Sequence, residues 1–331
     1  MKITPLLQVG AGIGIAAIGV WIFSRQVDLS AMLGEVRATP LWKIVVVILL
    51  NPATLFLRAW RWKIMLPQRN GCSKEGLFPL VVIGFMVNNI LPARIGEAAR
   101  AALLWRRNRF TIAESIGSLL VERLLDVLVF VSFLFMPILL LPQLAAQRNY
   151  GLLLSAGFCG VLLLFALYAL RPALVKQVGQ WAAGKLPEKV RSIVLTIGGE
   201  IMSNLDWLGS PRRVVAVVLL SFLTLLCQIG MLQALGFGIA RFGFFTSMFG
   251  VAFAALGAAI PLAPGYVGTL HAMLLQGLGM AGIAADKAGA IAVVYHAAGY
   301  ITITIMGIFF FFRLKLSVGD IRRAKETMAQ K

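Results

Sequence analysis

The chain has 331 residues, 60% of them hydrophobic and only 13% charged, with a mean hydropathy of +0.88. So little polar surface cannot cover a soluble globule, which makes lipid the main solvent and the chain an integral membrane protein. Its 31 Lys and Arg against 13 Asp and Glu give a net charge of +18, but the positive residues sit in short connections between apolar runs, as topology signals rather than a nucleic-acid surface.

The first apolar run, 5–23, is long enough to cross about 30 Å of hydrocarbon, and no small-residue cleavage motif follows it, so it reads as a retained helix. Inside it "GAGIG", Gly10 to Gly14, has no strand before it, which favours close helix packing over a dinucleotide loop. A second run, 41–57, leads into "RAWRWKIML", where Trp60 and Trp62 beside basic residues read as an aromatic belt at the membrane interface. Connection 58–76 carries Arg58, Arg61, Lys63, Arg69 and Lys74 against Glu75 alone. By the positive-inside rule it is cytoplasmic.

Further apolar runs follow at 77–91, 113–141, 151–170, 214–235, 243–262, 266–282 and 288–312. Segment 171–213, with Arg171, Lys176, Lys185, Lys189, Arg191, Arg212 and Arg213, is a cytoplasmic loop. There Val190, Ile193, Val194, Ile197, Ile201, Leu205 and Leu208 recur at helical spacing, with Lys189, Arg191, Glu200 and Asn204 elsewhere, as in an amphipathic helix lying on the membrane surface or packed at the inner mouth. The tail 313–331, with Arg313, Lys315, Arg322, Arg323, Lys325 and Lys331, is cytoplasmic too. Stretches 142–150, 236–242 and 283–287 hold only Arg148, Arg241 and Lys287 and fall outside. The expected protein is thus multi-pass in the inner (plasma) membrane, with both termini in the cytoplasm.

These assignments force two re-entrant segments. With 58–76 and 94–109 both inside, residues 77–105 must enter and leave on one face, turning near Leu91 to Ile95. Residues 243–282 must do the same from the opposite face, turning near Pro264 to Gly268. The turns read "LPARIGEAARAALL" and "APGYVGTLHAMLL" and share Pro-x-x-(Ile/Val)-Gly, so that Pro92 and Gly96 match Pro264 and Gly268. The expected fold is a single all-α polytopic membrane domain, 1–331, of about six spanning helices plus two opposed re-entrant hairpins. It divides into inverted repeats, 5–141 and 151–312.

Broken helices at membrane depth leave backbone amides and carbonyls that only protein or a water-filled cavity can satisfy, and paired breaks mark a transporter's binding site. Candidate substrate-binding residues are therefore Asn88, Asn89, Arg94, Glu97 and Arg100 around the first turn, and Tyr266 and His271 around the second. Glu122, Arg123 and Asp126 interrupt the apolar run 113–141, with the two carboxylates at i, i+4 on one face. Such charges must face the interior and be paired, either binding a phosphate or docking the hairpin against this helix. His271 and His296 are the only histidines, read as helix-to-helix hydrogen-bonding groups or a proton relay. Cys72, Cys159 and Cys227 are too scattered for a disulfide framework or a zinc site, and no metal or cofactor is expected.

"NNILPARIGEAARAALL", "SLLVERLLDVLV" and "PLAPGYVGTLHAMLL" resemble the signatures of the lysylphosphatidylglycerol synthase transmembrane family, also called flippase-like, which includes the membrane portion of the multiple peptide resistance factor. The resemblance runs from about residue 5 to 315 and implies movement of lipids between leaflets, lysyl-phosphatidylglycerol or polyprenyl- and hopanoid-type lipids. It carries over Pro92, Arg94, Gly96, Glu97, Arg100, Glu122, Arg123 and Asp126, and from the second repeat Pro264, Gly265, Gly268, Tyr295 and His296. Two departures stand out. Larger relatives append a cytoplasmic aminoacyl transferase domain that this sequence lacks, and the family's Tyr-Arg pair is here Tyr295-His296.

The function expected is a membrane lipid translocase for a phosphate-containing lipid, an aminoacyl-phospholipid or a polyprenyl-linked one. The alternatives are a non-catalytic membrane partner of a lipid-modifying synthase or glycosyltransferase, and a membrane-embedded lipid-modifying enzyme. The last lacks a nucleophile with an adjacent base or a metal-ligand cluster.

Overall fold

A computed structural model describes residues 5–67, 72–91, 94–239, 242–260 and 263–316. Arg69, Pro92, Arg241 and the tail residues Arg322, Arg323, Lys325 and Lys331 lie outside these, as do the side chains of Lys189, Ile193, Ile197 and Glu200. Among the described residues there are thirteen α-helices, three short 3₁₀ turns and no strand.

Helix α1 (Pro5–Arg25) turns by 90° into α2 (Leu29–Ala38), a helix the hydropathy pattern gave no sign of. Asp28 starts it by accepting the Ser30 and Ala31 amides, which a helix N-terminus leaves unpaired. Helix α3 (Leu41–Met65) continues eight residues past its apolar run, so Arg58 and Arg61 belong to the helix and not to a connection. Trp62 corrects the aromatic-belt reading, since it is 0% exposed while Trp60 faces out at 51%.

The first hairpin is α4 (Leu77–Ile90) and α5 (Ile95–Asn108). Its base is tied by the Asn108 Nδ2, which donates to the Ser73 and Glu75 carbonyls at 2.7 and 3.0 Å. Gly84 and Gly96 let the two arms touch backbone to backbone: a Cβ on Gly96 would lie 1.9 Å from the Gly84 carbonyl oxygen. Helix α6 (Ile112–Leu140) opens on a capping box of Thr111 and Glu114.

Helix α7 (Arg148–Leu170) leads to α8 (Pro172–Ala183) and α9 (Glu188–Ser203), so segment 171–213 holds two helices where the periodicity pointed to one. Helix α9 packs on α6, and the Tyr168 hydroxyl donates to the Met202 carbonyl at 3.1 Å. Helix α10 (Pro211–Gly236) precedes the second hairpin, α11 (Phe244–Ala259) and α12 (Thr269–Met280), joined through the 3₁₀ turn Pro264–Tyr266. Helix α13 (Ala285–Arg313) follows.

Five helical stretches are long and apolar enough to cross a membrane, Leu41–Met65, Ile112–Leu140, Pro142–Leu170, Pro211–Gly236 and Ala285–Arg313, and the bent α1–α2 pair makes a sixth. The hairpin arms α4 and α11, of 14 and 16 residues, reach only about 21 to 24 Å at 1.5 Å per residue, short of the roughly 30 Å core.

Packing is reciprocal between the halves. Helix α3 runs along α10; α4 packs on α13 and α11 on α6; α5 packs on α6 and α12 on α13; α2 packs on α13 and α9 on α6. The exchange is incomplete: among the described residues α6 packs on α7 and α1 on α12 with no comparable contact in the other half. Helix α3 packs against α13, whereas the counterpart pair, α10 and α6, face each other across a cavity.

Candidate functional site

That cavity has a volume of about 680 Å³. Its charged lining is Arg58 and Arg61 from α3, Arg94, Glu97 and Arg100 from the first hairpin, and Arg123 and Asp126 from α6. Its apolar lining includes Val127 and Phe130 of α6, Leu225 of α10 and Val251 and Leu256 of α11. Tyr266, Tyr295 and Asn88 line it as well.

The charged residues form a connected ion network. Arg100 forks onto Glu122, its two terminal nitrogens 3.2 and 2.8 Å from the two carboxylate oxygens. Both side chains are essentially sealed, at 2% and 0% exposure, and the Arg100 guanidinium lies 4.3 Å from the centroid of the Trp62 ring. The indole N–H of Trp62 in turn donates to the Ser118 hydroxyl at 3.1 Å. A bidentate, stacked arginine of this kind fixes one helix against another, here α5 and α3 against α6.

Arg123 joins three carboxylates, Glu122 at 2.9 Å, Asp126 at 3.2 Å and Glu97 at 3.7 Å. Asp126 also takes Arg58 at 2.9 Å and Arg61 at 2.6 Å, and Arg61 reaches the Ser221 hydroxyl of α10 at 3.2 Å. Glu122 and Asp126 can be buried because each is shared among guanidinium groups that replace its lost hydration.

Arg94 stands apart. It enters α5 with φ +51°, a conformation few non-glycine residues adopt, and its terminal nitrogen donates at 2.7 Å to the carbonyl of Ala258, in the last turn of α11. That places a cation at a helix C-terminus, where the macrodipole is negative, and links the two hairpins. Next to it the Asn88 Oδ1 accepts the Gly96 amide at 2.8 Å, capping α5 across the turn.

The second turn holds a different network. Gly265, Tyr266 and Gly268 all have positive φ, 57°, 61° and 81°. The Gly268 amide donates to the His271 Nδ1 at 3.2 Å, the His271 Nε2 meets the His296 Nδ1 at 3.2 Å, and the His296 Nε2 meets the Gly265 carbonyl at 2.8 Å. A donor on His271 Nδ1 and an acceptor at His296 Nε2 fix both imidazoles as the neutral Nε2–H tautomers. The ring of bonds ties the turn, with Pro264, to α13.

Of the residues singled out from the sequence, Asn88, Arg94, Glu97, Arg100, Arg123, Asp126, Tyr266 and Tyr295 line the cavity. Glu122 lies behind Arg100 with 0% exposure. Asn89 is not on the cavity wall; its side-chain amide donates to the Thr304 hydroxyl at 3.2 Å and the Tyr300 carbonyl at 3.3 Å. His271 and His296 also sit off the wall, in the contact between hairpin and α13. Pro92 is outside the described residues. The sequence reading missed Arg58, Arg61 and Ser221. Its available signal was the i, i+3 spacing of Arg58 and Arg61, which puts both on one face of a continuing helix. Among the described residues no group of three His, Cys, Asp or Glu side chains is placed to hold a metal ion.

A family model described as the lysylphosphatidylglycerol synthase TM region matches residues 9–307. No curated protein and no solved structure matches the chain.

Proposed function

Since the chain belongs to the lysylphosphatidylglycerol synthase TM-region family and has a membrane lipid-related role, we propose that it is a lipid translocase, carrying a phosphate-containing lipid between leaflets. The observation that carries this reading is the cavity itself, lined both by a cluster of arginines and by apolar side chains of α6, α10 and α11. A phosphate held by Arg94, Arg123 and Arg58 replaces its water shell with guanidinium donors. The acyl chains then lie along Val127, Phe130 and Leu225, where apolar walls cost them nothing relative to lipid.

The reciprocal packing of the halves and the short hairpin arms support inverted repeats with re-entrant hairpins. In this reading the α6–α10 gap is the open lateral gate and the α3–α13 contact its closed counterpart, and transport exchanges the two. The excess of Lys and Arg in 171–213 and the tail supports a reading with both termini in the cytoplasm and the chain in the inner membrane.

The test is a leaflet assay in proteoliposomes with labelled lipids of several headgroups. Headgroup-selective equilibration by the wild type, lost in Arg123→Ala protein that still folds, is the expected result. No movement of any lipid overturns the reading. A second reading, a non-catalytic anchor for a lipid-modifying synthase or glycosyltransferase, draws on α8, whose Leu174, Val178 and Trp181 are exposed at 50%, 53% and 65%. Stoichiometric co-purification of a synthase with an inactive chain would favour it.

A further inference from the structure

The charges around the cavity do not cancel. Arg58, Arg61, Arg94, Arg100 and Arg123 bring five guanidinium groups, and Glu97, Glu122 and Asp126 bring three carboxylates, leaving two positive charges over. Among the described residues no lysine lines the cavity, and the neighbouring histidines are held neutral by their own hydrogen bonds. Donors exceed acceptors in the same way. The Nε–H groups of Arg61, Arg94, Arg100 and Arg123 are all buried without an acceptor from the described protein groups. Uncompensated buried charge and unpaired buried donors both carry a free-energy cost that a bound anion relieves.

Resting on the translocase reading, we infer that the headgroup this cavity takes is a phosphomonoester or diphosphate carrying two negative charges and no amine. Such a group brings oxygen acceptors only and cancels the surplus. An aminoacylated headgroup would bring an ammonium, raising the surplus and adding donors where acceptors are lacking. The family's namesake lipid is therefore disfavoured here on charge alone.

Arg94 and Glu97 provide the leverage for a test. Among the described residues Arg94 pairs with no carboxylate, and its terminal nitrogen donates to the Ala258 carbonyl. Glu97 is the most loosely held carboxylate, 3.7 Å from Arg123 with 31% of its side chain exposed. The full chain in phosphatidylcholine nanodiscs is titrated with dioleoyl phosphatidic acid, phosphatidylglycerol and lysyl-phosphatidylglycerol, and separately with inorganic phosphate and glycerol phosphate.

Expected is tightest binding of phosphatidic acid, weaker phosphatidylglycerol, and weakest lysyl-phosphatidylglycerol. Arg94→Gln weakens phosphatidic acid by about tenfold or more, and Glu97→Gln tightens it. Lysyl-phosphatidylglycerol binding as tightly as phosphatidic acid overturns the inference, with no variant needed. So does weakening of phosphatidic acid by Glu97→Gln. Inorganic phosphate equalling phosphatidic acid also overturns it, because the site would then hold free anion rather than lipid. If a zwitterionic or cationic lipid crosses the bilayer in an Arg123-dependent way while phosphatidic acid does not, the translocase reading stands and the charge inference falls. If no lipid binds or crosses, both fall.

Discussion

Asp126 receives three guanidinium groups at once, from Arg58, Arg61 and Arg123, at 2.6 to 3.2 Å. Asp126→Asn leaves Arg61, at 2% exposure, with no counter-charge, and should lower stability by about 3–5 kcal/mol, read as the unfolding midpoint in detergent. Glu97→Gln breaks only a long, partly exposed pair and should stay within about 1 kcal/mol. Outside the membrane, burial together with Arg213 and Lys63 holds the Lys74 ammonium down to about 8 from 10.5. The folded chain thus binds fewer protons here than the unfolded chain between those values, so its stability rises with pH from about 8 toward 10.5. Lys74→Met should abolish that slope in a pH series of unfolding midpoints. A slope that persists would place its origin elsewhere.

The hairpins show what was legible in the sequence at the scale of elements. Proline, glycine and polar residues inside apolar runs located both turns, because a membrane helix breaks only where something satisfies its backbone. The pairing of Arg58 and Arg61 was not legible. Positive residues at the end of an apolar run look like any cytoplasmic anchor until Asp126, more than sixty positions away in sequence, is brought beside them. Trp62 misled for the same reason, since the Arg100 stacked on it comes from another helix. Helix α2 stayed hidden because its signal is a cap and a bend rather than an apolar run. The arms of the first hairpin give the sharpest prediction at this scale. Gly96→Ala drives a methyl into the Gly84 carbonyl and should cost about 1–3 kcal/mol, whereas Gly34→Ala in α2, with nothing within 4 Å, should be neutral or slightly stabilising by the same unfolding measurement.

Across the whole molecule, resemblance between the halves is clearer in which helices touch than in sequence. Three pairs of contacts, besides α3 on α10, survive the exchange of one half for the other, while the sequence match is confined to short stretches. The orientation that accompanies this arrangement is open to labelling. In a Cys159→Ser, Cys227→Ser background, the remaining thiol of Cys72, at the base of the first hairpin, should react with a membrane-impermeant maleimide only after the cells are opened. Asn149→Cys, exposed at the start of α7 in a Cys-less background, should react in intact cells. Equal labelling of both from outside would invalidate the charge-based topology.

The contact at Gly84 and Gly96 has a mechanical meaning. At that level no Cβ separates the arms, and the Arg100 and Asn88 side chains fill the space beside the two glycines, so the hairpin behaves as a stiff lever. One end of that lever carries Arg94 on the carbonyl of Ala258; the other is pinned at Asn108 to Ser73 and Glu75. A displacement at the tip is therefore expected as rotation of the two arms together about the base rather than as sliding of one arm past the other.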